Sequence, residues 1–241
     1  MNIYSLTDVG RVRDSNQDAF WTGNLSEDTA LCIVCDGMGG ANAGNIASQT
    51  AVQLIADYFT RSYRKEMTAK TSLEFLCHAI SSANIQLYDL ALKTPDLTGM
   101  GTTVVAAVIG PDYVAIAHVG DSRCYLLGEN LQLLTRDHSV VQNLIESGKI
   151  TPEQAKVHPR KNVITRALGT EENILIDTDV FPRIAGQRLL LCTDGLSGFS
   201  EPEEIEAVFS ETEPSQIPER LIALANQHGG GDNITAVTVE L

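Results

Sequence analysis

Short apolar runs, four to eight residues long and rich in β-branched side chains, recur along the chain at 31–35, 102–109, 113–119, 123–127, 131–134, 177–181, 188–192 and 234–239. Their length and composition predict strands rather than helices. In "IGPDYVAIA" and "LLGENLQLL" turn-forming residues separate two such runs, which predicts hairpins and therefore antiparallel pairing. A helical period replaces the strand pattern twice. Ala47, Ala51, Leu54, Ile55 and Tyr58 fall on one helix face, and Leu73, Leu76, Cys77, Ile80, Ala83, Leu87 and Leu90 on another. Two shorter helices are expected at 203–209 and 216–227, before the last strand. Sheets packed together with helices outside them satisfy this order of elements. The stretch 136–169 is the least strand-like, with short helical pieces and "HPRKN", and reads as a flap or a packed excursion.

Composition narrows the class. The 241 residues are enough to bury a sizeable core, and the absence of repeats or a Pro/Gly/Ser-rich linker predicts a single domain over 1–241. No apolar run approaches the roughly 20 residues that a membrane span needs. The first residues lack a basic stretch followed by an apolar one, which argues against a signal peptide. A net charge of −14 disfavours a nucleic-acid partner. The five cysteines are odd in number, and "CIVC" lies inside a strand-like run. They read as core residues of a protein in the reducing cytoplasm.

The acidic residues change the picture. "LCIVCD" closes an apolar run with Asp36, "AIAHVGD" with Asp121 and "LLLCTD" with Asp194, while "GGGDNITAVTV" sets Asp232 at the mouth of the last one. One such aspartate is a turn residue. Four of them predict a rim where carboxylates converge. Converging carboxylates raise one another's pKa unless a cation lies between them. Oxygen donors without nearby Cys or His select hard ions, Mg²⁺ or Mn²⁺. Two such ions about 3.5–4 Å apart can hold a bridging hydroxide for in-line attack on phosphorus. In "DGMGG" the expected role of Gly37 is a turn tight enough to aim its carbonyl at a metal, with Gly39 and Gly40 keeping the cleft open.

Competing motifs fail on specific residues. A dinucleotide fingerprint starting at Gly37 needs a small residue where Asn42 stands, and a P-loop needs a lysine that is absent from residues 1 to 64. An aspartyl-phosphate mechanism needs a second aspartate at Val34 or Cys192, and no GxSxG elbow occurs.

"TDVGRVRDSNQDAF", "VCDGMGG", "GMGTTVV", "AHVGDSR", "TRDHS", "HPRKNVITRALG", "LLLCTDGLSG" and "GGGDNITAV", in this order and nearly end to end, resemble the metal-dependent serine/threonine protein phosphatases of the PPM or PP2C type, in their compact bacterial form. The resemblance implies an α+β fold, a four-layer α/β/β/α sandwich with two central antiparallel sheets and the metal cleft at one rim. It implies two core Mn²⁺ or Mg²⁺ ions and a possible third. Asp36 would bridge the two, with the Gly37 carbonyl on the second, Asp194 and Asp232 on the first, and Asp18 on the second through water. Asp121 would help Asp194 hold the third ion, and Asn233 would fix Asp232. Arg13 would bind the substrate phosphate, a role that the residues alone leave open between Arg11 and Arg13. The partners implied are phosphorylated proteins, a serine/threonine kinase's substrates and the kinase itself, acted on by a monomer.

One position departs from the family pattern. The histidine that usually follows "DGMGG", thought to protonate the leaving alkoxide, is Ala41 here, and the acidic residue often found shortly after it is Asn45. General acid help is typically worth 10²–10⁴-fold, so a slow rate on alkyl phosphates and a near-normal one on aryl phosphates is expected. A metal-bound water or another group such as His158 substitutes, or the enzyme is a weakened variant, or the chain binds phosphoproteins without turnover as a regulatory module. The retained carboxylates argue against the last. Of the other histidines, His118 is expected to pack within a strand, His138 to cap a helix and His78 to lie near an apolar helix face, with no ligand spacing among them.

Overall fold

The structure is a computed structural model and describes residues 1–40 and 43–241. Its centre is two antiparallel sheets. The first runs β1 (Ile3–Asp8), β11 (Ile234–Glu240), β10 (Arg188–Cys192), β7 (Arg123–Leu127) and β8 (Leu131–Leu133) from edge to edge. The second runs β2 (Asp18–Asn24), β3 (Ala30–Met38), β5 (Val104–Ile109), β6 (Tyr113–Val119) and β9 (Asp177–Pro182), with the two-residue β4 (Gly101–Thr102) paired to the end of β3. Helices α1 (Ala43–Ser62) and α2 (Ala69–Lys93) cover the second sheet. The short α5 (Asp194–Ser197), α6 (Pro202–Glu211) and α7 (Ile217–Gln227) cover the first. The order of layers is α/β/β/α, as expected.

Strand periodicity builds three cores from one sequence. On β3, Leu31, Ile33 and Cys35 face α1 and α2, whereas Ala30, Cys32 and Val34 face the other sheet. Residues of β5 divide the same way, with Val104, Ala106 and Val108 toward the helices and Val105, Ala107 and Ile109 between the sheets. Such doubly buried strands read as continuous apolar runs because both faces are covered. The same alternation sends the two sulfurs of "CIVC" to opposite faces of β3. All five cysteines are free, and burial pushes the Cys32 and Cys192 thiols up to about 12, far from reactivity.

The expected helix faces are present: Ala47, Ala51 and Ile55 are buried on α1, and Leu76, Ile80, Ala83 and Leu87 on α2. Other expectations need correction. β1 and β2 carry no apolar run and are half-buried on the edges of their sheets, so periodicity does not mark them. The 102–109 run is interrupted at Thr103, and β3 extends past Asp36 to Met38. Within 136–169 lie only α3 (Val140–Glu146), α4 (Pro152–Lys156) and two isolated bridges, Thr102 to Leu168 and Ser139 to Ile164.

Candidate metal centre

Five strand ends meet at one rim of the two sheets. Asp36 lies on β3 directly opposite Asp18 on β2, Asp121 follows β6, Asp194 opens α5 after β10, and Asp232 precedes β11. Like charges on facing strand positions are destabilising by themselves. The cleft they form encloses about 590 Å³, and Asp36, Gly37, Asp121, Asp194, Asp232 and Arg13 all line it. Arg11 does not.

The backbone around Asp36 is fixed so that its carboxylate is left free. Its N–H donates to Thr103 Oγ1 at 2.9 Å, and its carbonyl accepts from Thr102 Oγ1 and from the Thr103 N–H, also at 2.9 Å. The interruption between β4 and β5 therefore serves the site. Gly37 is not a turn residue: it is extended within β3 and pairs with Thr102. Glycine is needed there because a Cβ would overlap the Gly44 carbonyl at the start of α1. The turn comes at Gly39, whose φ is +139°.

Asp18 sits behind the cleft lining. Its Oδ2 accepts from the hydroxyls of Thr193 at 2.8 Å and Thr235 at 2.7 Å. Its Oδ1 and the Oδ1 of Asp194 are buried without a hydrogen-bond partner. Such orphaned oxygens are costly unless a ligand completes them. Burial raises the Asp18 pKa to about 7 against the pull of the two hydroxyls, and burial with the Asp194 charge raises Asp121 to about 8. Burial and then Asp18 push Asp36 well above the ordinary range, and burial and then Asp232 raise Asp194. Oxygen donors with unpartnered buried lone pairs fit a hard divalent cation and fit little else.

Arg13 donates from Nη2 to Asp232 Oδ2 at 2.8 Å, and its side chain is 56% exposed. The Asn233 backbone N–H holds Asp232 Oδ1 at 2.9 Å. The Asn233 side chain does something else. It accepts from the Gln17 N–H and donates to the carbonyls of Val9 and Ser15, stapling the loop that carries Arg13.

Ala41 lies outside the described residues. Among the described residues no histidine lines the cleft, and His158 accepts the Arg160 N–H on its Nδ1 away from it. His138 does not cap α3, because Ser139 does. Instead, residues that lack any ligand spacing in the sequence come together: the rings of His118 and His138 stack at 4.9 Å, and His138 Nε2 lies 3.2 Å from Asp177 Oδ2. Only the pairing of β6 with β9, which sets His118 opposite Asp177, brings this cluster into view.

A sandwich of this build with an acidic, oxygen-only rim defines a class: divalent-cation-dependent hydrolases acting on phosphate esters. Comparison with known proteins makes it specific. The family described as Protein phosphatase 2C matches residues 11–226. The serine/threonine phosphatase stp of Listeria welshimeri is 42% identical over 246 residues, spanning 100% of this chain and 96% of that relative. Among solved structures, serine/threonine phosphatase Stp1 from Staphylococcus aureus superposes with a TM-score of 0.93 at 32% identity, over 99% of this chain and 94% of that one. The catalytic domain of the serine/threonine protein phosphatase PstP, in complex with two manganese ions, gives 0.87 at 34% identity over 99% and 97%. The chain belongs to the protein phosphatase 2C family. It is a divalent-metal-dependent protein serine/threonine phosphatase, and no described helix is long and apolar enough to cross a membrane.

Proposed function

We propose that the acidic cleft is the catalytic centre and that it removes phosphate from phosphoserine and phosphothreonine side chains of proteins modified by a serine/threonine kinase, the kinase included. One observation carries this reading: Asp36, Asp121, Asp194 and Asp232 line one cleft with Asp18 behind its wall, and the Oδ1 atoms of Asp18 and Asp194 are buried without a partner. Asp36 and the Gly37 carbonyl, with Asp194 and Asp232 on one side and Asp18 on the other, would hold two Mn²⁺ or Mg²⁺ ions. Asp121 with Asp194 would serve a third. When bound, the ions supply a water activated for attack and positive charge for the oxygens of the transition state.

The rest falls to the chain itself. Thr193 and Thr235 hold Asp18 Oδ2, so that Oδ1 is the oxygen left for the centre. Thr102 and Thr103 hold the Asp36 backbone, and the Asn233 amide holds Asp232. Arg13 exchanges Asp232 for a substrate phosphate, whose oxygens match the guanidinium fork. Its exposure leaves it free to do so. The whole chain is read as one phosphatase domain, with 136–169 as a flap beside the cleft, since Asn162 and Ile164 contribute to its wall. A monomer working in the cytoplasm suits the buried free thiols.

The test compares para-nitrophenyl phosphate with a phosphothreonine peptide, using the wild-type, Asp36→Ala and Ala41→His proteins in Mn²⁺. The aryl ester should be hydrolysed, and EDTA or Asp36→Ala should abolish the reaction. Ala41→His should chiefly speed the peptide, toward the 10²–10⁴-fold typical of a general acid. Failure of both substrates at saturating metal, even in Ala41→His, would refute catalysis by this cleft.

A further inference from the structure

The residues that open the 136–169 segment are tied to three different elements. Arg136 pairs through Nε and Nη2 with Glu146 of α3, and its carbonyl accepts from His118 Nε2 at 2.9 Å. Asp137 receives the fork of Arg123 from β7, at 2.9 Å from Nε and 2.7 Å from Nη2. His138 makes the most connections. Its backbone N–H donates to the Gly120 carbonyl at 2.9 Å, and its carbonyl accepts from the Thr165 N–H at 2.7 Å. Its Nδ1 accepts the Gly120 N–H at 3.0 Å, which puts the ring proton on Nε2, facing Asp177.

Gly120 therefore exchanges two hydrogen bonds with one residue of the segment. Its φ of +108° requires glycine, and a Cβ there would press into the side chain of Thr103. Thr103 Oγ1, which accepts the Asp36 N–H, also lies 2.7 Å from Ser122 Oγ. The turn Gly120–Asp121–Ser122 is thus gripped on one side by His138 and on the other by the threonine that holds Asp36.

A metal-binding role for the cluster fares worse. His118, His138 and Asp177 place three donor atoms within 4.8 Å. Yet the two rings are nearly parallel, at 13°, so their in-plane lone pairs run side by side instead of meeting. Arg166 Nη1, 2.6 Å from Asp177 Oδ1 and 3.1 Å from His138 Nε2, already takes the place of a cation.

We propose that His138 is a positioning residue for Asp121: by accepting the Gly120 N–H, its Nδ1 sets the turn that carries the carboxylate and couples that turn to the seating of the 136–169 segment. The proposal rests on the reading of Asp121 as part of the metal centre. His138→Leu and His138→Gln remove the acceptor at the δ position. His138→Asn keeps one, because its Oδ1 can stand where Nδ1 stood. Two quantities are read: exchange of the Gly120 amide by NMR in metal-free protein, and the Mn²⁺ concentration that half-activates para-nitrophenyl phosphate hydrolysis.

The expected result is Gly120 exchange at least about tenfold faster in the Leu and Gln variants, with amides of β5 and β10 unchanged. Half-activation should need about tenfold more Mn²⁺, in the range seen when the partner behind a metal ligand is lost. His138→Asn should restore both. Equal behaviour of Leu, Gln and Asn, or loss of protection across β5 and β10, would overturn the proposal in favour of a purely structural role. Asp121→Asn separates the two claims. Unchanged metal dependence in Asp121→Asn removes Asp121 from the centre, whereas unchanged Gly120 exchange in His138→Leu removes His138 from its role.

Discussion

The molecule holds two clusters of buried and half-buried acids, and it treats them oppositely. At the base of the 136–169 segment each acid has a cation: Asp137 takes the fork of Arg123, and Asp177 takes Arg166 together with His138. At the cleft, Asp36, Asp121 and Asp194 in the wall and Asp18 behind it have no ion pair among the described residues, and the exposed Arg13 pairs with Asp232. The pKa directions record the contrast. Asp177 is drawn below its ordinary range by His138 and Arg166, outweighing its burial, whereas Asp18, Asp36, Asp121 and Asp194 are all raised, first by burial. Partnered acids serve the fold. Unpartnered ones cost stability and are tolerated where a ligand completes them.

The largest break of this comparison comes from Asp36→Asn. Losing one charge from the centre should cut activity at saturating metal by about 10³-fold, given that a metal ion supplies several kcal/mol and each 1.4 kcal/mol is a factor of ten. The same change should raise the melting temperature of the metal-free protein at pH 8, because a buried carboxylate with acidic neighbours becomes an amide. A lower melting temperature instead would mean that Asp36 is supported by the fold, and the contrast would collapse.

Metal and pH sharpen it further. In the metal-free fold the pKa values of Asp18 and Asp121, about 7 and 8, stand above those of the unfolded chain. A raised carboxyl stabilises the fold fully below the unfolded value, near pH 4, and loses that contribution as pH rises through the folded value. Protons and metal compete for the same oxygens. Saturating Mg²⁺ should therefore raise the melting temperature by more at pH 8 than at pH 6. A gain that is flat or shrinks with pH would show that these acids do not hold the ion.

How much of this was legible in the sequence follows from the same physics. Asp36, Asp121, Asp194 and Asp232 stand out because an apolar run makes a carboxylate at its end conspicuous. Asp18 does not, since β2 is an edge strand with mixed side chains, and only the resemblance to the family points to it. The threonines behind Asp18 and Asp36 look like ordinary strand residues until register puts their hydroxyls against the carboxylate or its backbone. Glycine usually marks a turn, so Gly37 reads as one in the sequence, whereas in the fold it marks a close approach of two backbones. His138 and Asp177 are 39 positions apart and share no motif, so only the fold brings them together.

The smallest effect expected belongs to the partnered region. Arg123→Met keeps most of the side chain's bulk and leaves Asp137, whose side chain is 13% exposed, without its cation. Breaking a buried pair from one side costs about 3–5 kcal/mol, and breaking an exposed pair about 0–1. With Arg123 itself 28% exposed, an intermediate loss of about 1–3 kcal/mol is expected in urea unfolding at pH 7. The double variant Arg123→Met with Asp137→Leu should recover much of it, because no lone charge is left behind. Arg123 also lowers, and Asp137 raises, the pKa of Asp121 and Asp194 across the β6–β7 turn. Arg123→Met alone should therefore move the pH dependence of the Mg²⁺-induced gain in melting temperature toward higher pH, whereas the double variant, which removes both opposing charges, should leave it nearly unchanged. An unchanged dependence in Arg123→Met would mean that the two acid groups do not feel each other.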